Sequence, residues 1–369
     1  MKTTHVLMTA VIFAASFLSN SASAKIWRVN NNSNYNGTTL WGDNFGGTSN
    51  YPVFDQLQNA NNSNFVTSGD TLYIEGSNAN YDGVNLNKRL VIIGPGYFLT
   101  ENPKVSNDML QASVYNINFY EGSEGSQLIG VYVYSGYGID IGVSNVVIKR
   151  CKIDYDVYVS ENITDISILQ NFFTNANNNT ASAVGVSAYG FPANFVFNNN
   201  ISKRTLILVR GSSVYTATEC KNNVFDCPAI NGSPSIQLNV GSFQNNILKT
   251  STATVSINGG SNQNVSYNIS ASATGQFGTG NNNKVVTNMS SLFVSSGTSD
   301  GQYKLKPNSP GSDNGSDGTD RGAFGGAAVI NRYTLSGLAP IPVIYALNTS
   351  AVATQQSGLS VTISARTIK

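Results

Sequence analysis

From about residue 145 to residue 290 the chain alternates short apolar runs with turns rich in Asn, and one small pattern keeps returning. An apolar residue is followed three positions later by an Asn, and the Asn by another apolar residue, as in ILQNFF, VFNNNI, ECKNNVF, FQNNIL, VSYNIS and VVTNMS. Aligned on the shared Asn, these copies place Asn171, Asn200, Asn223, Asn246, Asn268 and Asn288 in one column, at spacings of 29, 23, 23, 22 and 20 residues. Cys151 takes the same place one step earlier, and Gly130 the step before that. A period in the low twenties predicts a solenoid. The residues three before the column are Ile148, Ile168, Phe197, Cys220, Phe243, Val265 and Val285. Those just after it are Lys152, Phe172, Ile201, Val224, Ile247, Ile269 and Met289. Both sets are expected to be core, with Lys152 the one departure. Segments this short, β-branched or aromatic and parted by Asn, Gly and Ser, are strands. The Leu framework of a leucine-rich repeat is missing.

Coils stacked at the strand spacing of ~4.8 Å set each turn residue directly above its equivalent. Asn tolerates the left-handed backbone of a sharp bend. Its amide carries donors and an acceptor, so stacked copies can bond along the axis. The apolar residues then fill the inside while Asn makes and satisfies the corner.

This pattern resembles the right-handed parallel β-helix of the pectate-lyase-like superfamily, whose coils read as apolar strand, Asn corner, apolar strand. Two further stretches carry the resemblance. Phe54 to Gly96 (FDQLQNANNSNFVTSGDTLYIEGSNANYDGVNLNKRLVIIGPG) is similar to the entry of bacterial β-helices, where a short helix precedes Gly-Asp-Thr, a strand and a Tyr-x-Gly turn. Ser309 to Gly326 (SPGSDNGSDGTDRGAFGG) is similar to the sequence that often closes them. The fold class expected is all-β: a parallel β-helix over residues 25–326 with an N-terminal capping helix, and a small C-terminal β extension over 327–369. The helix is expected at Pro52–Asn61, with Phe54 and Leu57 covering the first coil, since open sheet ends invite edge pairing. At the other end VIY and LSVTISA form a terminal hairpin, cover the last coil, or belong to a linker toward a surface anchor.

Composition narrows the setting. Lys2, the apolar run Val6–Leu18 and Ala22-Ser23-Ala24 mark residues 1–24 as a secretory signal, too short in its apolar part to span a bilayer. The mature chain is therefore expected to be secreted, periplasmic or at the cell surface, without a transmembrane segment. The single His, His5, lies inside the signal. Its loss excludes Ser-His-Asp and Cys-His nucleophile machinery and His-ligated metals. A formal charge of +1 with 11% charged residues lacks the basic footprint of a nucleic-acid binder. The 40% hydrophobic content argues for a buried core against disorder. Of Cys151, Cys220 and Cys227, the last two are near enough in sequence for a disulfide, and all three also suit buried thiols.

The candidate chemistry gathers in YVYSGYGIDIG and CKIDYDVYVSENI. A shift of 21 superposes Tyr134 on Tyr155, Tyr137 on Tyr158 and Asp140 on Glu161. This predicts a tyrosine ladder for stacking on sugar rings beside a carboxylate pair that shares a proton or holds Ca²⁺. Stacking of like residues also arises wherever coils repeat. Asp154 and Asp156 are expected on the face opposite Tyr155. A basic cluster follows: Lys149, Arg150 and Lys152, then Lys203, Arg204 and Arg210. The resemblance implies, for a polysaccharide lyase, Arg150 or Arg210 as base with Ca²⁺ at Asp140 and Glu161, although no lyase motif matches position by position. The Asp pair and Gly-His-Gly segment of galacturonan hydrolases are absent. Asp313, Asp317 and Asp320 suit either a Ca²⁺ turn or a plain closing turn. The function expected is a monomeric exported β-helix that binds or scaffolds glycan without catalysis and requires no cofactor. The alternatives are a Ca²⁺-assisted lyase, a carboxylate-dependent hydrolase, and an adhesin.

Overall fold

The computed structural model describes residues 24–32, 48–105, 109–134, 137–174, 182–187, 193–210, 213–258, 264–349 and 361–367. The signal expected at residues 1–24 lies almost wholly outside them. Short strands pair in parallel with their equivalents one coil away, in sheets of twelve, nine and five strands. These are called the first, second and third sheets below. The chain visits the first, crosses a sharp corner to the second, turns to the third and returns, which is a parallel β-helix of the right-handed kind that parallel connections favour. Its interior is one continuous column of Ile, Val, Leu and Phe.

The corner between the first and second sheets shows what the repeat is for. Asn171, Asn200, Asn223, Asn246 and Asn268 stand in single file, fully buried. From Asn200 onward each side-chain oxygen accepts from both the backbone N–H and the Nδ2 of the Asn one coil before. For Asn223 the donors are Asn200 N at 2.9 Å and Asn200 Nδ2 at 3.2 Å. Each Nδ2 also donates to a carbonyl of the preceding coil, such as Phe197 O at 2.9 Å from Asn223. The file begins at Cys151, whose N–H donates to Asn171 Oδ1 at 2.9 Å.

Several expectations need correction. The sixth rung is Asn283, which accepts from Asn268 N at 2.9 Å, because the last coil shortens to 15 residues. Asn288 instead caps the 3₁₀ turn Met289–Ser291, its side chain accepting from Ser290 N. Val285 and Met289 therefore leave their expected columns, and Lys284 follows Ile269 in register. The left-handed residue is the one before each rung: Arg150, Gln170, Asn199, Asn222, Asn245, Tyr267 and Asn282 all have φ of 55 to 60°. Gly130 belongs to that set with φ 69°, since Ile129 pairs with Lys149, and Val131 takes the rung position. A Cβ there would lie 2.8 Å from Gly94 O.

The residues after the rungs are core, but of a different core. Phe172, Ile201, Val224, Ile247 and Ile269 point away from the solenoid axis and are buried against Tyr97, Leu292, Phe293, Tyr303, Ala323 and Tyr333. The inward residues of the second sheet are the next ones along, Ile153, Phe173, Ser202, Phe225, Leu248 and Ser270. The cover is the chain after the last coil, residues 289–339, which runs back along the corner as a strap and does not close the end. Its docking points descend the coils in order: Arg321 Nη1 donates to Asn268 O, Gly322 N to Asn245 O, and Asn199 Nδ2 to Ala323 O and Gly325 O. Gln170 Nε2 then reaches Ile330 O, Arg150 Nη1 reaches Leu338 O, and Tyr97 meets Tyr333 hydroxyl to hydroxyl at 2.6 Å. Arg150, Gln170 and Asn199 of the left-handed column thus aim their side chains outward at the strap's carbonyls, and Asn245 meets the Ser316 hydroxyl and N–H.

At the N-terminal end Ile26–Val29 adds a strand to the first sheet, and a helix at Leu57–Asn62 buries Leu57 and Ala60, with Phe54 beneath the entering chain. It is shorter than the expected span because Phe54 is held as a bridge to Val29. Beyond the strap, Pro342–Thr349 and Val361–Thr367 pair as an antiparallel hairpin. All three Cys are free and buried, with Cys151 pushed up to about 12 by desolvation. No helix among the described residues is long and apolar enough to cross a membrane.

Candidate functional site

The third sheet pairs Val84, Ile117, Ile139, Val157 and Val184 across five coils, all facing inward. Alternation turns the following residues outward, giving the file Asn85, Asn118, Asp140, Tyr158 and Gly185. Among the described residues no strap crosses this file: the strap's contacts lie along the corner of the first and second sheets. Tyr158 is 39% exposed at its centre. At the entrance from the second sheet, Tyr115 packs against Tyr134 at 5.8 Å and Tyr137 at 5.9 Å, and Tyr134 against Tyr132 at 6.2 Å. Tyr137 is 72% exposed and Tyr115 40%.

The register differs from the one expected. Between the coils carrying Asp140 and Tyr158 the offset is 18 residues, so Asp140 lies beside Tyr158, and Glu161 falls in the turn beyond that strand. On the second sheet the offset is 20, which sets Tyr134 against Asp154 in place of Tyr155. The tyrosine-on-tyrosine ladder and the Asp140–Glu161 pair are both undone by this, because the turn between these two sheets changes length from coil to coil.

A different carboxylate pair forms. Asp156 precedes its strand at the level of Gly138, and its Oδ2 lies only 2.5 Å from where a Cβ on Gly185 would stand. Burial holds the Asp140 carboxyl above its usual value, and the negative charge of Asp156 pushes it the same way. Burial likewise raises Asp156, while its own backbone and the cation of Arg204 pull it back. Arg204 is buried, donating from Nη1 to Asp154 O at 3.0 Å, and its guanidinium lies 5.6 Å from the Tyr155 ring centroid. Asp140 Oδ1 and Arg204 Nη2 are buried atoms without a hydrogen-bond partner among the described residues. Two carboxyls on one face, both biased toward the protonated form, can act as proton donor and acceptor or accept sugar hydroxyls.

The remaining candidates sit elsewhere. Arg150 is 1% exposed under the strap, where Nε donates to Gln170 Oε1 at 2.7 Å and Nη1 to Leu338 O at 2.9 Å. It holds the strap and lies on a different sheet from Asp140. The side chain of Arg210 is outside the described residues. Asp313, Asp317 and Asp320 act within their own turn: Asp320 Oδ1 accepts from Asp313 N, and Asp317 Oδ1 from Thr319. No group of three or more potential metal ligands occurs among the described residues. Residue-level reading missed Tyr115, which meets Tyr134 through a 19-residue offset on the second sheet, and the Asp156 pairing, which follows from the 18-residue offset that the Gly138 and Gly185 positions make sterically possible. Comparison with protein-family models, curated proteins and solved structures finds no match to this chain.

Proposed function

We propose that this chain is an exported β-helix of the pectate-lyase-like kind that binds glycan across the outward face of its third sheet, in the secreted, periplasmic or cell-surface compartment. The observation that carries the reading is the set of tyrosine rings on neighbouring coils, exposed Tyr115, Tyr137 and Tyr158 with half-buried Tyr134, flanking Asp140. Tyr rings offer apolar faces to sugar C–H groups and hydroxyls to their oxygens. Affinity electrophoresis against a panel of neutral and acidic polysaccharides tests it: at least one polymer retards the protein, and Tyr137→Ala and Tyr158→Ala each reduce the retardation. Retardation unchanged in both variants overturns the reading.

A second reading is a carboxylate-dependent glycoside hydrolase, favoured by the Asp140–Asp156 pair, since such enzymes use one carboxyl as acid and another as base or nucleophile. Release of reducing ends from the retained polymer, lost in Asp156→Asn, would support it. The lyase alternative predicts ultraviolet absorbance from unsaturated products in the presence of Ca²⁺, lost on substituting Arg210.

A further inference from the structure

A cavity of about 270 Å³ opens between the strap and the second sheet, lined by Phe98, Lys152, Phe172, Thr174, Lys203, Ser299 and Gln302. It lies on the sheet whose outward face the strap covers and is separate from the tyrosine-lined third sheet. Two coils supply its lysines, and the strap supplies Ser299 and Gln302.

The charges around it are unevenly satisfied. Asp154, just outside, accepts from the Tyr132 hydroxyl and the Thr174 hydroxyl, each at 2.6 Å. Glu101, at the other rim, accepts from Ser299 N at 2.5 Å and Ser299 Oγ at 3.0 Å. Both carboxylates are thus engaged by neutral donors. Lys152 and Lys203 enter no ion pair among the described residues. Elsewhere on the molecule Lys221 and Lys249 each close a salt bridge, at 2.7 and 2.8 Å. The Lys152 ammonium rests 3.6 Å from the Tyr132 ring centroid and 5.3 Å from that of Phe98, a cation–π seat that holds its N–H groups ready without consuming them. The wall beside Lys152 is aromatic: Phe172, its partner on the next strand, and Phe98 meet edge to face at 5.3 Å.

We propose that this cavity binds a small ring-bearing carboxylate, with Lys152 and Lys203 on the carboxylate and the Phe98–Phe172 wall on the ring. The volume falls just under the ~300–1,000 Å³ range of ordinary ligand pockets, which fits one ring and no more. Thr174, Ser299 and Gln302 supply the remaining polar contacts. Because Ser299 and Gln302 belong to the strap, an occupied pocket also ties the strap to the coils.

Isothermal titration of the full chain with benzoate and glucuronate, and with benzyl alcohol and glucose as neutral counterparts, tests the proposal. At least one carboxylate binds and its neutral counterpart does not; Lys152→Gln and Lys203→Gln each weaken binding ten-fold or more. Benzoate alone binding assigns an arene acid, glucuronate alone a sugar acid, and either supports the proposal. If Lys152→Gln fails to fold through loss of its aromatic seat, Lys203→Gln decides. Tyr158→Ala leaves this binding unchanged, so failure of the glycan reading and failure of this one are separable. No binding of either carboxylate at millimolar concentration, equal binding of the neutral compounds, or full affinity in Lys203→Gln overturns it.

Discussion

On the second sheet the outward residues from Phe172 to Ile269, namely Phe172, Ile201, Val224, Ile247 and Ile269, are every one buried; on the third they are Asn85, Asn118, Asp140, Tyr158 and Gly185, polar, aromatic or small. The two files share the coil that carries Phe172 and Gly185: the open file lies on that coil and those before it, the covered one on that coil and those after it. Burying an aliphatic side chain is worth about 1.5–3 kcal/mol, so an unbroken apolar file recruits its own cover, here the strap of residues 289–339. A file that mixes amides, a carboxylate and a tyrosine recruits nothing and stays open. The covered face therefore serves stability, and the open one is the face proposed for glycan.

Breaking the covered face should have the largest effect. Val224→Asp places a carboxylate under the strap with no partner, and we expect loss of more than about 4 kcal/mol, read by urea denaturation, or failure to accumulate folded protein. Asn223→Ala comes next. It removes the acceptor of Asn200 N and Nδ2 and the donor to Phe197 O, and should cost roughly 3 kcal/mol, since each buried polar group left unpaired costs about 1–3. Hydrogen exchange at the Asn200 amide should accelerate with it.

Changes on the open face should spare stability and alter binding. Tyr137→Ala and Tyr158→Ala are each expected to weaken glycan binding by about ten-fold, or ~1.4 kcal/mol, with unfolding free energy within about 0.5 kcal/mol of the parent. Asp140 sharpens the contrast through pH. Its folded-state pKa is raised by burial and by Asp156, so the folded chain binds this proton more tightly than the unfolded one. The stability it contributes is complete below the ordinary carboxylate pKa and is lost as pH rises through the raised value. Asp140→Asn should therefore raise Tm at pH 7, and the gain should vanish toward pH 3. Smallest of all is Asn288→Ala: as an exposed cap of a single 3₁₀ turn it should cost under about 1 kcal/mol, against the larger loss at Asn223.

Much of the solenoid was legible because its rules are local. A rung Asn must recur at each corner, and an apolar residue three before it must enter the interior; Ile148, Ile168, Phe197, Cys220 and Phe243 do so in continuous register. The site was less legible. Asp140 and the tyrosines were visible as residues, but their neighbours were not, since a turn two residues shorter moves every side chain on the third sheet relative to the second. Arg150 looked like free chemistry in the sequence because nothing nearby in the chain marks a carbonyl at Leu338 as its acceptor.

The amino-acid sequence by itself determined a parallel β-helix, its asparagine corner and its apolar interior, because period and alternation are properties of short segments. Which side of a strand an apolar residue faces was decided only in three dimensions. Ser202 and Ser270 point inward while Ile201 and Ile269 point outward, an assignment against hydrophobicity that holds because a distant segment returns to cover the outer file. The partner of each carboxylate was decided there too, by turn lengths that set one coil over the next.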